Sequence, residues 1–147
     1  MILITHMLMG AAIASKITNP ILAVILAFFS HYLLDLIPHN EYPVENLKNG
    51  EWNNALPDFL RVILDFCLGI LLISMLSGGE LIIYICAFFA ILPDGLTILN
   101  SIFSNEILEI HNNFHREKIH FLKNKKILGF WRILNQILAI VITLIVF

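Results

Sequence analysis

Charged residues are scarce in this chain, and cysteine is scarcer still. Only 14% of its 147 residues are charged, whereas ordinary soluble domains carry about 25%. The two cysteines, Cys67 and Cys86, stand alone within apolar runs, so neither a zinc ribbon nor a disulfide framework is indicated. The net charge is −2, and most basic residues are confined to one stretch, which leaves no extended basic surface for nucleic acid. We therefore expect no nucleic-acid partner.

Apolar sequence is abundant by comparison. Hydrophobic residues make up 59% of the chain, and the mean hydropathy is +0.84. Polar residues divide the apolar sequence into five segments, which are 2–14, 21–37, 59–76, 81–103 and 127–147. A helix of about 20 apolar residues crosses a bilayer. We predict an all-α membrane bundle of about five transmembrane helices, which forms a single domain over residues 1–147.

Proline, glycine and polar residues predict where these helices begin and end. Pro20 is typical of a helix start, and Pro38 is expected to end the second helix. Asp58 is predicted to cap the third helix. The Gly78-Gly79 pair predicts a tight turn into the fourth helix. Pro93 is predicted to break that fourth helix within its second half.

Lysine and arginine predict the orientation in the membrane. The polar segment 105–126 carries five of the nine basic residues, and the polar segment 39–57 carries Lys48. Because cytoplasmic loops are enriched in these residues, both segments are placed in the cytoplasm, together with the amino terminus. The predicted location is the cell membrane, which the chain crosses several times, with membrane lipids as its neighbours.

A few histidines and aspartates interrupt the apolar segments at similar depth. They are His6, His31, Asp35, Asp65 and Asp94. Counting about 1.5 Å per residue from the cytoplasmic helix ends places all of them within roughly 15 Å of that surface. An aspartate at the centre of a membrane helix costs about 2.5–3.5 kcal/mol, so a compensating role is expected. We predict one cytoplasm-facing His/Asp site.

His31 and Asp35 form the densest part of this pattern. They are four residues apart, so both project from one face of the second helix. An imidazole and a carboxylate on one face suit a divalent metal ion, or a hydrogen-bonded pair that orients a ligand. His39 follows Pro38 and would hang over the same site.

Structural alternatives exist for each residue. His6 could bond a backbone carbonyl of a neighbouring helix. Asp65 could pair with Arg61, which is one turn earlier. Asp94 could simply cap a kink at Pro93. The whole set could instead be a non-catalytic cluster that is structural, or that binds a cation or a proton.

Residues 107–120 predict an amphipathic helix that lies at the membrane interface, because apolar residues recur at helical spacing with basic residues beside them. His111 and His115 share one face at a spacing that is compatible with zinc. His120 lies about 140° away on a regular helix, so all three histidines cannot serve one ion.

Four motifs together resemble those of a known family. They are Thr5-His6-x-x-x-Gly10, Ser30-His31-x-x-x-Asp35-x-x-Pro38-His39, Leu92-Pro93-Asp94 and Phe114-His115-Arg116. The pattern is similar to that of the membrane-bound metal-dependent hydrolases, which are inner-membrane proteins described as LexA-binding. This resemblance spans most of the chain.

The resemblance implies metal-assisted hydrolysis of a phosphoester, with a lipid phosphate as the substrate class. The implied metal ligands are His6, His31, Asp35 and Asp94, followed by His115 and His39. The implied ion is a divalent metal, zinc in the first place, with manganese or iron as alternatives. Asp35 or Asp65 would act as the general base or would orient a ligand histidine. Arg116 and Lys118 would attract the head group of an anionic phospholipid.

Overall fold

The chain folds into helices throughout the part that the structure describes. This computed structural model describes residues 1–41, 43–103, 105–119 and 128–147. The α-helices are α1 (Leu3–Lys16), α2 (Pro20–Asp35), α3 (Glu45–Lys48), α4 (Leu56–Ser77), α5 (Leu81–Ile102), α6 (Glu106–Asn113) and α7 (Gly129–Val146). A 3-10 turn (Trp52–Asn54) precedes α4, and a π-helical turn (Phe114–Ile119) follows α6. The predicted all-α bundle is confirmed.

Three helices, α4, α5 and α7, are long and apolar enough to cross a membrane. The other two apolar helices are shorter, with 14 residues in α1 and 16 in α2. A 16-residue helix is about 24 Å long, less than the hydrocarbon core of about 30 Å. The predicted end of α2 at residue 37 is two residues too late, because Pro38 disfavours helical backbone at the residue before it. Crossing by all five apolar segments stays a prediction.

Pro93 does not break α5, which continues from Leu81 to Ile102. A proline removes one backbone hydrogen bond from a helix, and its ring crowds the preceding turn. In α5 a carbonyl oxygen of that turn, on Ala90, accepts a hydrogen bond from Nδ1 of His31 at 2.8 Å. The predicted break is therefore wrong, because packing against α2 stabilises the helix on both sides of the proline.

Helix α1 lies at the centre of the bundle, in contact with α2, α4, α5 and α7. Gly10 allows α1 to approach α5 closely. A Cβ atom on Gly10 would lie 2.5 Å from the carbonyl oxygen of Cys86 and 2.7 Å from Cβ of Ala90. The two helices therefore meet at their backbones, and this contact places His6, one turn before Gly10, beside α5.

Asp58 joins the first turn of α4 to α3. Its buried carboxylate accepts hydrogen bonds from the backbone N–H groups of Asn46 and Leu47, and from Nη1 of Arg61 at 2.9 Å. Asp58 is thus not the N-cap of its own helix, because its side chain reaches the N-terminus of α3. Arg61, the candidate partner of Asp65, pairs with Asp58.

We expect Gly10→Ala to destabilise the bundle by about 1–3 kcal/mol, because the added methyl group overpacks the contact between α1 and α5. Gly95 in α5 offers a matched control, since a Cβ there would meet no described atom within 4 Å. Gly95→Ala should be neutral or stabilise by up to about 1 kcal/mol. Thermal unfolding in one detergent, followed by circular dichroism, measures both. Equal midpoints for the two variants would contradict the close contact.

Candidate metal centre

Four side chains converge at one end of the bundle. His31 and Asp35 lie on the last turns of α2, Asp94 lies on α5, and His115 lies in the π-helical turn. One ligand atom from each residue lies within 4.8 Å of the ligand atoms of the other three. We call these four residues the His/Asp cluster. It is a buried group that could hold a metal ion.

The separations within the cluster match those of ligands around one ion. Nε2 of His31 and Nε2 of His115 are 3.1 Å apart, and each lies 3.2 Å from Oδ2 of Asp35. Oδ1 of Asp94 lies 3.7 Å from Nε2 of His31. Tetrahedral ligands with bonds of about 2.0–2.2 Å to zinc are about 3.3 Å from one another. His31, Asp35 and His115 therefore have the spacing of ligands in a tetrahedral site, and Asp94 lies slightly farther out.

His31 is oriented for ligation by its second ring nitrogen. A carbonyl oxygen only accepts hydrogen bonds, so Nδ1 of His31 carries the hydrogen that it donates to Ala90. In the neutral ring this leaves a lone pair on Nε2, which faces the cluster. Histidines that bind metals are held in this way, by donation from the other nitrogen to a carbonyl or carboxylate. The carbonyl group of Ala90, three residues before Pro93, thus sets the tautomer of His31.

The short distance between the two imidazoles requires a hydrogen or a cation between them. A hydrogen on Nε2 of either ring would satisfy this contact, and both nitrogens lie 3.2 Å from Oδ2 of Asp35. A divalent ion in this position would replace that hydrogen. The carboxylates of Asp35 and Asp94 would balance its charge, which limits the cost of burying it.

The cluster is open on the side of Asp94. The side chains of His31, Asp35 and His115 are buried, whereas that of Asp94 is 34% exposed. Catalytic metal sites keep one position for water or substrate, and structural sites do not. The partly exposed side chain of Asp94 marks the side from which such a molecule would reach the cluster.

The other two predicted ligands, His6 and His39, lie against the second oxygen of Asp35. Nε2 of His6 is 3.2 Å from Oδ1, and Nε2 of His39 is 3.7 Å from it. The amino group of Met1 lies 2.6 Å from the same oxygen. The rings of His6 and His31 are stacked with centroids 4.1 Å apart. The structure thus brings all six predicted metal ligands together around Asp35.

Asp65, a predicted general base, is not among the four residues of the cluster. Its Oδ2 accepts a hydrogen bond from the backbone N–H of Ile4 at 3.2 Å. The first N–H groups of a helix need such acceptors, and the residue at the N-cap of α1, Ile2, supplies no side-chain bond. Asp65 therefore anchors the helix that carries His6. Its role as a base stays a prediction.

The predicted interfacial helix over 107–120 is divided in the structure. Helix α6 ends at Asn113, and the π-helical turn continues from it. Single π-helical turns recur at functional sites. Here the turn directs His115 inward to Asp35, while Arg116 and Lys118 remain exposed. Helical backbone thus covers residues 106–119 of the predicted segment, with the wider turn where His115 contacts Asp35.

Tyr32 is a neighbour of the site that the sequence motifs do not reveal. Its hydroxyl group lies 3.1 Å from Nε2 of His111, and the ring of His111 stacks on that of His115 at an interplanar angle of 12°. Burial, together with the nearby His115 and His31, lowers the pKa of His111, so this ring is neutral at pH 7. Tyr32 and His111 support the ring of His115 from outside. His120 lies outside the described residues.

Two amides on α7 hold the loop that contains His39. The side chains of Asn135 and Gln136 donate hydrogen bonds to the carbonyl oxygens of Pro38 and Asn40, on either side of this histidine. Neighbouring amides within an otherwise apolar segment were a sequence signal for such a polar contact. They position His39 over the cluster.

Comparison with known proteins adds no relative to this description. No model of a known family matches the chain, and neither does any curated protein or solved structure. The resemblance of the motifs to the metal-dependent hydrolases therefore stays a prediction, and the chemistry of the cluster rests on its own geometry.

We expect Asp65→Ala to destabilise the protein by about 1 kcal/mol, because the first turn of α1 loses a hydrogen-bond acceptor. Asp65→Asn keeps an oxygen at this position and should cost less. Neither variant removes a cluster ligand, so both should retain bound metal. Thermal unfolding and elemental analysis measure the two effects. Loss of metal from folded Asp65→Asn would place Asp65 in the metal site instead.

Proposed function

We propose that this protein is a membrane-embedded, metal-dependent hydrolase of phosphoesters, of the type that its motifs resemble. The observation that carries the proposal is the spacing of the His/Asp cluster, in which Nε2 of His31 lies between 3.1 and 3.7 Å from a ligand atom of each other member. We propose zinc as the ion, because two imidazoles and two carboxylates in this arrangement suit its tetrahedral preference. Manganese and iron accept the same ligands.

In this proposal the residues of the cluster have different roles in hydrolysis. A divalent ion supplies a lowered pKa for bound water and polarisation of a phosphoryl oxygen. Asp35 contacts several imidazoles, so it fixes their orientation. Asp94 is the partly exposed member of the cluster, so it would give up its ligand position to a water and accept a proton from it. The other three cluster residues would still hold the ion, which is the usual number of protein ligands in a catalytic zinc site.

An anionic phospholipid is the proposed substrate class. Helices α4, α5 and α7 are long and apolar enough to cross a membrane, which favours a lipid over a soluble ester. Arg116 and Lys118 lie one and three residues after His115 in the π-helical turn, and both are exposed. Basic side chains at a membrane surface attract anionic lipids by about 1 kcal/mol each. In this proposal the cluster and the amino terminus face the cytoplasm.

A metal-binding test comes first. We expect the protein purified in detergent to retain a divalent ion, and a His31→Ala, Asp35→Ala double variant to lose it while folded, because two cluster ligands are removed. Elemental analysis measures the metal, and circular dichroism with size-exclusion chromatography checks the fold. Asp65→Asn is the control that should keep the ion. Absence of metal from the wild type after reconstitution with zinc and with manganese would leave a structural or proton-binding cluster as the better account.

The substrate class is tested with lipid vesicles. We expect the metal-loaded protein to hydrolyse a phosphoester in anionic vesicles, and an Arg116→Gln, Lys118→Gln double variant to raise KM about thirtyfold, which corresponds to about 2 kcal/mol of lost attraction. Its kcat should change little, because neither side chain belongs to the cluster. Lys16→Gln is the matched control, because Lys16 lies at the end of α1 that is farther from the cluster. Equal KM values for both variants would argue against head-group attraction at the π-helical turn.

A further inference from the structure

The two carboxylate oxygens of Asp35 face two separate groups of histidines. Oδ2 lies 3.2 Å from Nε2 of both His31 and His115, which belong to the His/Asp cluster. Oδ1 lies 3.2 Å from Nε2 of His6 and 3.7 Å from Nε2 of His39. One carboxylate thus stands between two pairs of imidazoles, and the cluster uses only one pair.

His6 is the residue that this arrangement leaves unexplained. Its side chain is 0% exposed, yet neither ring nitrogen has a hydrogen-bond partner among the described residues. The 3.2 Å approach of Nε2 to Oδ1 of Asp35 lacks the geometry of a hydrogen bond. Burying a polar group without a partner costs about 1–3 kcal/mol, and a ligand that accepts the lone pair of His6 would recover part of that cost. A metal cation is such a ligand.

His39 is oriented with Nε2 towards Asp35. Its Nδ1 donates a hydrogen bond to the carbonyl oxygen of Ile37 at 2.7 Å, so in the neutral ring the lone pair is on Nε2. That nitrogen lies 3.7 Å from Oδ1 of Asp35 and 3.7 Å from Oε1 of Glu41. Imidazole and carboxylate donors therefore meet on this side of Asp35 as they do on the other.

The charge on this side is also suited to a cation. The amino group of Met1 lies 2.6 Å from Oδ1 of Asp35, so this oxygen already contacts a positive charge, and a divalent ion bound there would take the place of that amino group. Glu41 adds a second carboxylate at the outer edge, where its side chain is 22% exposed. The buried imidazole of His6 and the carboxylate of Asp35 form the inner wall.

We propose that Asp35 bridges two divalent cations, one in the His/Asp cluster on its Oδ2 side and a second on its Oδ1 side with His6 and His39 as ligands. This inference rests on the proposed metal site, and it extends that site from one ion to a pair. Paired ions that share a carboxylate can hold the attacking and the leaving oxygen of a phosphoester at once. The second position therefore fits the same substrate class.

Counting metal ions tests this proposal. The purified full chain is stripped with a chelator, dialysed against zinc, and analysed for metal per chain. We expect two ions in the wild type and one in His6→Gln, because the cluster on Oδ2 keeps all of its ligands. His39→Gln should weaken the second ion about tenfold, as loss of one supporting donor does. Thr5→Val is the matched control, since Thr5 is the equally buried neighbour of His6 and the substitution preserves its shape.

Electron paramagnetic resonance of the manganese-loaded protein gives a second readout. Two Mn²⁺ ions joined by one carboxylate should show a spin-coupled spectrum, and His6→Gln should show the spectrum of an isolated ion. This signal separates a shared bridge from two independent sites. It does not depend on activity, and a folded His39→Gln provides the same comparison if His6→Gln fails to fold.

The outcomes separate this inference from the proposed function. One ion in the wild type that His6→Gln leaves unchanged overturns the second position and keeps the first. One ion that His6→Gln removes also overturns it, because His6 would then serve the same ion as His31. Two ions that persist in His6→Gln overturn the assignment of His6. No metal in the wild type overturns the proposed function and the inference together.

Discussion

The buried carboxylate of Asp35 is the constraint around which this bundle is arranged. A carboxylate that is removed from water requires nearby donors or cations, because an uncompensated buried charge destabilises a fold by several kcal/mol, about 3–5 in measured cases. The two oxygens meet imidazoles from α1, from α2 itself, from the loop after α2 and from the π-helical turn. Each of these elements must keep its position for the charge to remain satisfied. The architecture at this end of the molecule follows from one side chain.

Much of this arrangement could be predicted from the sequence because polar residues are costly inside an apolar helix. That cost singled out His6, His31 and Asp94, and the structure places them together. Several positions at which helices begin or end could also be predicted from the sequence. Pro20 opens α2, and Gly78 adopts a positive φ of 62° that ends α4, as local backbone chemistry requires.

Other features depend on tertiary contacts that no local pattern contains. The continuity of α5 through Pro93 reflects its packing and a hydrogen bond from His31, a residue 59 positions away from its acceptor. Asp58 reaches back to α3 rather than capping its own helix, because the two elements happen to meet. The two carboxylate oxygens of Asp35 likewise have different partners, which come from α1, α2, the loop after α2 and the π-helical turn. These partners meet only in the folded protein. Sequence spacing gives the identity of such residues but not their partners.

His31 and His115 lie 84 positions apart in the chain, yet their ring nitrogens are 3.1 Å from each other. An ion bound by both would close a loop that contains α3, α4 and α5. Closing a long loop removes more freedom from the unfolded chain than closing a short one, as a cross-link does. The ion would therefore cross-link the second half of the chain to the first. The affinity of the protein for this ion would then determine how much the ion adds to the free energy of unfolding of the bundle.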